Sequence, residues 1–291
     1  MYTDLIVDAN SLYARGFFAT KYSTARACAA AFNIISSMLN ENSKNYAGHV
    51  DRALLCWDGG AAKTDKNRGS KPEGYHEEKK IFMEFCQRVM GIPSYGEGGV
   101  FEADDSVCFA ARRSVAEGNR VIVCSHDKDI QQLASSKVGY YCLASKRVLT
   151  KKEIAQKWKV LKPRHIALYL ALVGDRVDGI KGVPNMGPKK ASTLMDRVVV
   201  EGMSFNQAVS ALTENLSEAD GETFMACLCN TYLGYDARLE KAGIPLPLPY
   251  KTPPPADMPD AYEFMDVAYA NFYASKKGVV IDEADVEVDE L

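Results

Sequence analysis

The stretch "RVIVCSHD" at residues 120–127 runs four apolar side chains together and ends on an aspartate. It is short, β-branched and bounded by polar residues, so it reads as a strand buried on both faces of a parallel sheet. Two earlier runs have the same form, "DLIVDA" at 4–9 and "RALLCWD" at 52–58. Helical patterns separate them: "TARACAAAFNIISSMLNEN" (24–42), "HEEKKIFMEFCQRVM" (76–90) and "ADDSVCFAARRSVAEG" (103–118) space apolar residues three and four apart. Alternating strands and helices predict an α/β fold with a mostly parallel central sheet and right-handed crossovers. Each predicted strand delivers an acid at its carboxyl end: Asp8, Asp58 and Asp127. Ligands of open α/β sheets bind outside those ends, so the three acids are expected to meet along one edge.

The bulk properties set limits around that reading. The chain has 291 residues, 47% hydrophobic and 25% charged, which suits a soluble globular protein of one large domain or of a domain with a substantial appendage. No apolar run reaches membrane-spanning length, and "MYTDLIVDANSL" lacks the basic flank and apolar stretch of a leader, so a cytoplasmic protein is expected. Eight cysteines include no C-x-x-C pair; Cys56, Cys108, Cys124 and Cys142 lie in apolar patterns, and Cys227 and Cys229 form a lone C-x-C without a nearby histidine, which argues against zinc. The net charge of −3 hides an asymmetry. Residues 146–190 hold twelve Lys/Arg against three acids, and residues 257–291 hold ten acids against two lysines. A polyanion meeting the basic stripe would not feel the average.

Helical signals dominate after about residue 150, and "GIPLPLPYKTPPPADMP" (243–259) reads as an extended linker or surface wrap. The expected organisation is an α/β core over 1–150 with a basic loop at about 59–80, a helical part over 151–242, and a Pro-rich wrap with an acidic tail over 243–291.

Further acids join the three strand ends. "FEADDSV" (101–107) puts Glu102, Asp104 and Asp105 at the mouth of a predicted helix; Asp129 follows in "SHDKD"; Asp175 and Asp178 stand three apart in "LVGDRVDGIKGV". A carboxylate at a helix N-terminus ordinarily caps it, worth about 0.3–1 kcal/mol. Capping does not explain acids at strand ends. Two like charges about 4 Å apart repel by roughly 4 kcal/mol at an effective dielectric of 20, so a convergent set would protonate or come apart unless cations neutralised it. Oxygen donors without His or Cys select Mg²⁺, with Mn²⁺ as a substitute. Two such cations held close together polarise a phosphoryl oxygen and activate water for in-line phosphodiester cleavage. His126 has no partner pattern for nucleophilic catalysis and is expected to be structural.

Two segments suit an anionic substrate. In "GDRVDGIKGVPNMGPKKAS" (174–192), Gly182 and Gly187 bracket a turn, Pro188 suits the first position of a helix, and Lys189 and Lys190 occupy its first turn. Lysines there oppose the helix dipole, and a phosphate docked on the helix N-terminus would reverse that sign. "GGAAKTDKNRGSKPEGY" (59–75) carries Lys63, Lys66, Arg68 and Lys71 without core periodicity, directly after a strand-end acid. A loop of that kind suits gripping a nucleic-acid backbone.

These pieces, in order, resemble the flap endonuclease and 5′→3′ exonuclease family over roughly residues 4–200: "LIVDANSLYARGFFA", "LLCWDGG", "KNRGSKPEGY", "FEADDSVCFAAR", "VIVCSHDKDIQQL" and "LVGDRVDGIKGVPNMGPKKA". The resemblance implies a PIN-like 5′-nuclease fold and a two-metal site. Asp58, Asp104, Asp105 and Asp127 would serve one metal, and Asp127, Asp129, Asp175 and Asp178 the other, with Asp8 and Glu102 in support. It further implies a helix–turn–helix at about 174–200 that grips duplex DNA, K⁺ at its hairpin, an arch at 59–75 over single-stranded 5′ ends, and a phosphate contact at Arg15. The family's Y-K-x-x-R departs here: Asp65 stands at the usual lysine position and Lys66 two before Arg68, which leaves Lys66 and Lys71 as alternatives for the scissile phosphate. Size, lack of an attached polymerase and the acidic tail resemble the phage-type stand-alone enzyme, a monomer of the host cytoplasm. The implied substrates are DNA with 5′ flaps or free 5′ ends and RNA primers on DNA, with replication proteins as candidate partners. Two rivals remain: a structure-specific DNA-binding protein with a decayed site, and an aspartyl phosphatase on a similar sheet. The phosphatase wants a second acid two residues after Asp8, where this chain has Asn10.

Overall fold

The computed structural model describes residues 1–19, 24–40, 44–59, 75–88, 91–96 and 101–234, together with Pro247 and Pro249. Lys63, Lys66, Arg68 and Lys71 of the basic loop lie outside the described residues, as does the acidic tail.

Three runs rich in aliphatic residues become parallel neighbours: β1 (Thr3–Asp8), β2 (Arg52–Cys56) and β4 (Arg120–Ser125). The sheet has six strands in the order β3-β2-β1-β4-β5-β6, with β3 (Ser94–Tyr95), β5 (Val138–Cys142) and β6 (Arg147–Leu149). All pairings are parallel except β5 with β6. Strand β3 is only two residues long and β6 only three, too short for an apolar period to stand out. Chain order reverses at β1, which pairs with β2 on one side and β4 on the other, so the crevice at its carboxyl end is the expected ligand position.

Side-chain alternation sorts the strands onto two faces. Leu5, Val7, Leu55, Trp57 and Cys124 pack on one face with α1 (Ala9–Ala19), α2 (Thr24–Leu39) and α3 (Tyr75–Arg88), through residues such as Leu12, Ile35 and Phe82. Ile6, Leu54, Val121 and Val123 pack on the other against Val107 and Ala110 of α4 (Ala103–Ala116) and Ile154 of α5 (Lys151–Trp158). Helix α1 was not expected from the sequence: small and polar residues between its apolar positions obscure the period. A third apolar cluster joins α6 (Ile166–Val173), α7 (Pro188–Val198), α8 (Phe205–Glu214) and α9 (Glu218–Thr231). Helix α6 contributes to both the second and third clusters, through Ile166 and Leu170 on one side and Leu168 and Leu172 on the other.

Candidate metal centre

The site is built on the carboxyl edge of β1, β2 and β4. Asp8 is the last residue of β1, whereas Asp58 and Asp127 stand two residues beyond β2 and β4. Val7 lies level with Cys124, which brings Ser125 alongside Asp8. Ser125 Oγ donates to Asp8 Oδ2 at 2.6 Å, and the Ser11 N–H donates to Asp8 Oδ1 at 2.9 Å. Asp8 is only 5% exposed. Burial, offset in part by those two donors and reinforced by Asp58 and Asp127, pushes its carboxyl up to about 7.

Asp58 ties two elements together. Its Oδ1 accepts from the Ala103 N–H at 2.9 Å, at the first residue of α4, and its Oδ2 from Asn10 Nδ2 at 2.5 Å. Lys79 of α3 reaches Asn10 Oδ1 at 3.3 Å, which places a cation one residue removed from Asp58. The mouth of α4 is itself acidic. Asp105 Oδ2 accepts from the Glu102 N–H at 3.4 Å, and Asp104 Oδ1 accepts from the Asp105 N–H at 2.9 Å. These contacts hold local backbone, yet Asp104 is driven well above the ordinary carboxylate range by burial and then by Asp105, Glu102, Asp127 and Asp8. A helix cap alone would be favoured in its charged form. The conflict marks these acids as held against their own repulsion.

A second group lies beyond β4. Asp127 Oδ1 accepts from the Asp129 N–H at 2.8 Å, a tight turn that leads into the 3₁₀ segment Asp129–Leu133. After α6, Gly174 turns at φ +82°, and Asp175 and Ile180 exchange two backbone hydrogen bonds of 2.7 Å, a loop that returns Asp178 beside Asp175. Carboxylate oxygens of Asp129, Asp175 and Asp178 lie within 4.8 Å of one another. Asp129 is pushed up to about 7 by burial, then by Asp127. Burial also raises Asp178, against the pull of Lys128, while at Asp175 the Lys128 ammonium and the Val177 N–H outweigh burial and hold the carboxyl low. The Asp127 charge helps raise Asp8 and Asp104 in one group and Asp129 and Asp178 in the other, so it lies within electrostatic reach of both.

A cation fits this donor set. Asp129 Oδ1 is buried without a hydrogen-bond partner among the described residues, and Asp175 Oδ2 is met there by the Lys128 ammonium alone. Lys128 also approaches Asp178 at 3.5 Å. An orphaned buried carboxylate oxygen is costly in a metal-free fold and ordinary beside a hard ion.

Ser125, Ser11, Asn10, Lys79 and Lys128 are the participants that sequence reasoning did not assign. Asn10 and Ser11 follow Asp8 directly and Lys128 sits between two of the acids, so proximity was their only signal. His126, expected to be structural, is exposed, and its N–H donates to Ser11 Oγ at 3.1 Å.

The anion-binding candidates follow the acids closely in sequence, Arg15 seven residues after Asp8 and Gly182 four after Asp178. Arg15 is exposed on α1. Gly182 adopts φ +71°, and a Cβ there would stand 2.3 Å from the Gly174 amide nitrogen, so the turn between α6 and α7 requires glycine. Gly187 has φ −77° and open space around it, so no contact within the chain calls for glycine there. Pro188 opens α7 with Lys189 and Lys190 exposed beside it.

Residues 3–159 match the family described as the 5′-3′ exonuclease, N-terminal resolvase-like domain. The chain belongs to the 5′-3′ exonuclease family. Among curated relatives, DNA polymerase I of Rhizobium leguminosarum is 30% identical over 182 residues, 62% of this chain and 17% of the relative. A 5′-3′ exonuclease of Aquifex aeolicus is 33% identical over 132 residues, 45% of each chain. This exonuclease-family chain thus spans less than half the length of either relative. In fold it is similar to the T5 D15 protein co-crystallised with metal ions, with a TM-score of 0.60, 16% identity and coverage of 93% of this chain and 99% of the other. That likeness establishes the α/β architecture.

Proposed function

We propose that the chain is a divalent-metal-dependent, structure-specific 5′ nuclease that hydrolyses phosphodiester bonds near 5′ ends and branch points of DNA. The observation that carries this reading is the cluster of Asp129, Asp175 and Asp178, whose carboxylate oxygens lie within 4.8 Å of one another with Asp129 Oδ1 buried and unpartnered among the described residues. Asp58, Asp104, Asp105 and Asp127 would hold one Mg²⁺, and Asp127, Asp129, Asp175 and Asp178 a second, with Asp8 and Glu102 supporting; Mn²⁺ is a chemical substitute. When bound, the ions supply charge neutralisation and an acidified water beside a phosphodiester. The family membership and the metal-bound T5 D15 protein support this assignment.

The chain's own residues supply position. Ser125 and Ser11 orient Asp8, Asn10 and the Ala103 N–H orient Asp58, and Lys128 holds Asp175 and Asp178 together. The turn at Gly182–Gly187 and the N-terminus of α7 would serve as a helix–turn–helix grip on duplex backbone, with K⁺ in the hairpin and Lys189 and Lys190 on phosphates. Arg15, Lys63, Lys66, Arg68 and Lys71 would contact the 5′ strand, Lys66, Arg68 or Lys71 at the scissile phosphate. Backbone recognition tolerates either sugar, so RNA primers annealed to DNA are included as substrates. The enzyme would act as a monomer in the cytoplasm beside replication proteins; no described helix is long and apolar enough to cross a membrane. Both Asp8 oxygens accept hydrogen bonds, which supports the nuclease over a phosphatase that attacks through that carboxylate.

The test is a 5′-labelled flap duplex incubated with EDTA or Mg²⁺. Cleavage near the branch in Mg²⁺ alone, leaving 5′-phosphate and 3′-hydroxyl ends, is expected. Binding without cleavage under every metal would identify a decayed DNA-binding protein instead.

A further inference from the structure

A groove of about 1050 Å³ opens between α4, α5 and the short helical turn Pro163–His165. It lies at the opposite edge of the sheet from the acidic cluster. Val138, which helps line it, pairs with Val121 near the start of β4, whereas the acids follow the end of that strand. Its floor is apolar, formed by Val115, Leu133, Ala155, Val160 and Leu161, the last 46% exposed. Its rim is cationic: Lys151, Lys152, Lys159 and Lys162 line it and make no ion pair among the described residues, and Glu201 is the one acidic lining residue. An apolar floor under a rim of one charge suits a peptide with both acidic and apolar side chains. A nucleic-acid backbone would satisfy the rim and leave the floor wet.

We infer that this groove is the docking site of the chain's own acidic C-terminal segment, residues 257–291. That segment lies outside the described residues and carries ten acids against two lysines. In sequence it spaces Tyr262, Met265, Tyr269 and Phe272 three and four apart, with Asp260, Glu263 and Asp266 between and before them. It is therefore complementary to the groove in charge and in apolar content. The chain also leaves α9 beside the groove. Arg112 Nη2 donates to the Leu233 carbonyl at 2.7 Å, the Leu233 N–H donates to Gln132 Oε1 at 3.0 Å, and both Arg112 and Gln132 line the groove. From Pro249, the last described residue, to Asp257 the backbone can extend about 26 Å at roughly 3.3 Å per residue. Docking there holds Asp260, Glu263 and Asp266 away from the metal-binding edge and from an approaching polyanion, which they would otherwise repel.

Zero-length carbodiimide crosslinking of the full-length chain, read by mass spectrometry, tests the assignment. The expected result is that Asp260, Glu263 and Asp266 link to Lys151, Lys152, Lys159 or Lys162 in preference to the exposed Lys189 and Lys190. The double variant Lys151→Glu/Lys152→Glu, exposed positions in the first turn of α5 where acids suit the helix dipole, should lower the remaining Lys159 and Lys162 links severalfold at a melting temperature checked to match the parent. Links spread evenly over exposed lysines would overturn the proposal. So would links found only between isotopically light and heavy chains, which would identify a second copy as occupant. Protection of the groove lysines by duplex DNA, with the tail unlinked, would assign the groove to nucleic acid.

Discussion

Ser125 Oγ donates to Asp8 Oδ2 at 2.6 Å, joining the ends of two neighbouring parallel strands through their side chains. The bond favours the charged form of a carboxylate that burial pushes up to about 7. Ser125→Ala should therefore raise Asp8 further and weaken Mg²⁺ binding by about 10–100-fold, as loss of a ligand-orienting partner does. Calorimetric Mg²⁺ titrations of the two proteins check this, and equal affinities at neutral pH would remove Asp8 from the site.

Asp127→Asn should abolish cleavage while leaving flap binding intact, a larger loss than at an orienting residue because the Asp127 charge acts on acids of both groups. Gel-shift and cleavage assays on the same labelled flap separate the two effects. Near-normal turnover in Mg²⁺ would refute the two-metal assignment.

The stabilisation conferred by Mg²⁺ should depend on pH. Asp8 and Asp129 sit at about 7 in the fold against an ordinary 3.8, so between those values the folded chain keeps protons that the unfolded chain has released. Their contribution is complete below about pH 4 and is lost as pH rises through about 7. His165, buried and pushed down to about 4, acts oppositely: its contribution is lost as pH falls below 6.5. A difference taken at each pH cancels the histidine. The rise in melting temperature on adding Mg²⁺ should thus grow from about pH 5 to about pH 8, because the ion favours the charged carboxylates. A pH-independent increment in a calorimetric scan would contradict this.

Lys128 occupies the position of a counter-ion between Asp175 and Asp178. Lys128→Met should lower the melting temperature of the metal-free chain and enlarge its Mg²⁺-induced increment, since the ion then meets carboxylates with no competing ammonium. Thermal scans in EDTA and in Mg²⁺ measure both. A variant that loses stability equally in the two conditions would show the lysine to be purely structural.

The two glycines of the α6–α7 turn should separate folding from binding. Gly182→Ala forces a Cβ against the backbone of Leu172, Val173 and Gly174 at positive φ and should cost about 1–3 kcal/mol. Gly187→Ala, in open space at an ordinary φ, should cost under about 1 kcal/mol yet weaken duplex binding if a phosphate approaches that backbone. Denaturant melts and fluorescence-polarisation binding distinguish them.

The sequence by itself determined the kind of fold and the edge on which the chemistry lies. Runs such as Val121–Cys124 can only be buried strands, and a strand's direction decides where its final acid points. The same reasoning found helices α2, α3 and α4 but not β3, β5 or β6: β3 and β6 have two and three residues placed by pairing with neighbours, and Gly139 breaks the apolar run of β5. Only the tertiary structure decided which acids meet. Asp129 and Asp178 are 49 positions apart and are joined by the return of the Asp175–Ile180 loop, while Asn10, Lys79 and Ser125 enter through contacts between elements. Local sequence encodes period and turn chemistry, whereas burial and charge proximity, which raise Asp8, Asp104 and Asp129, exist only once the sheet has closed.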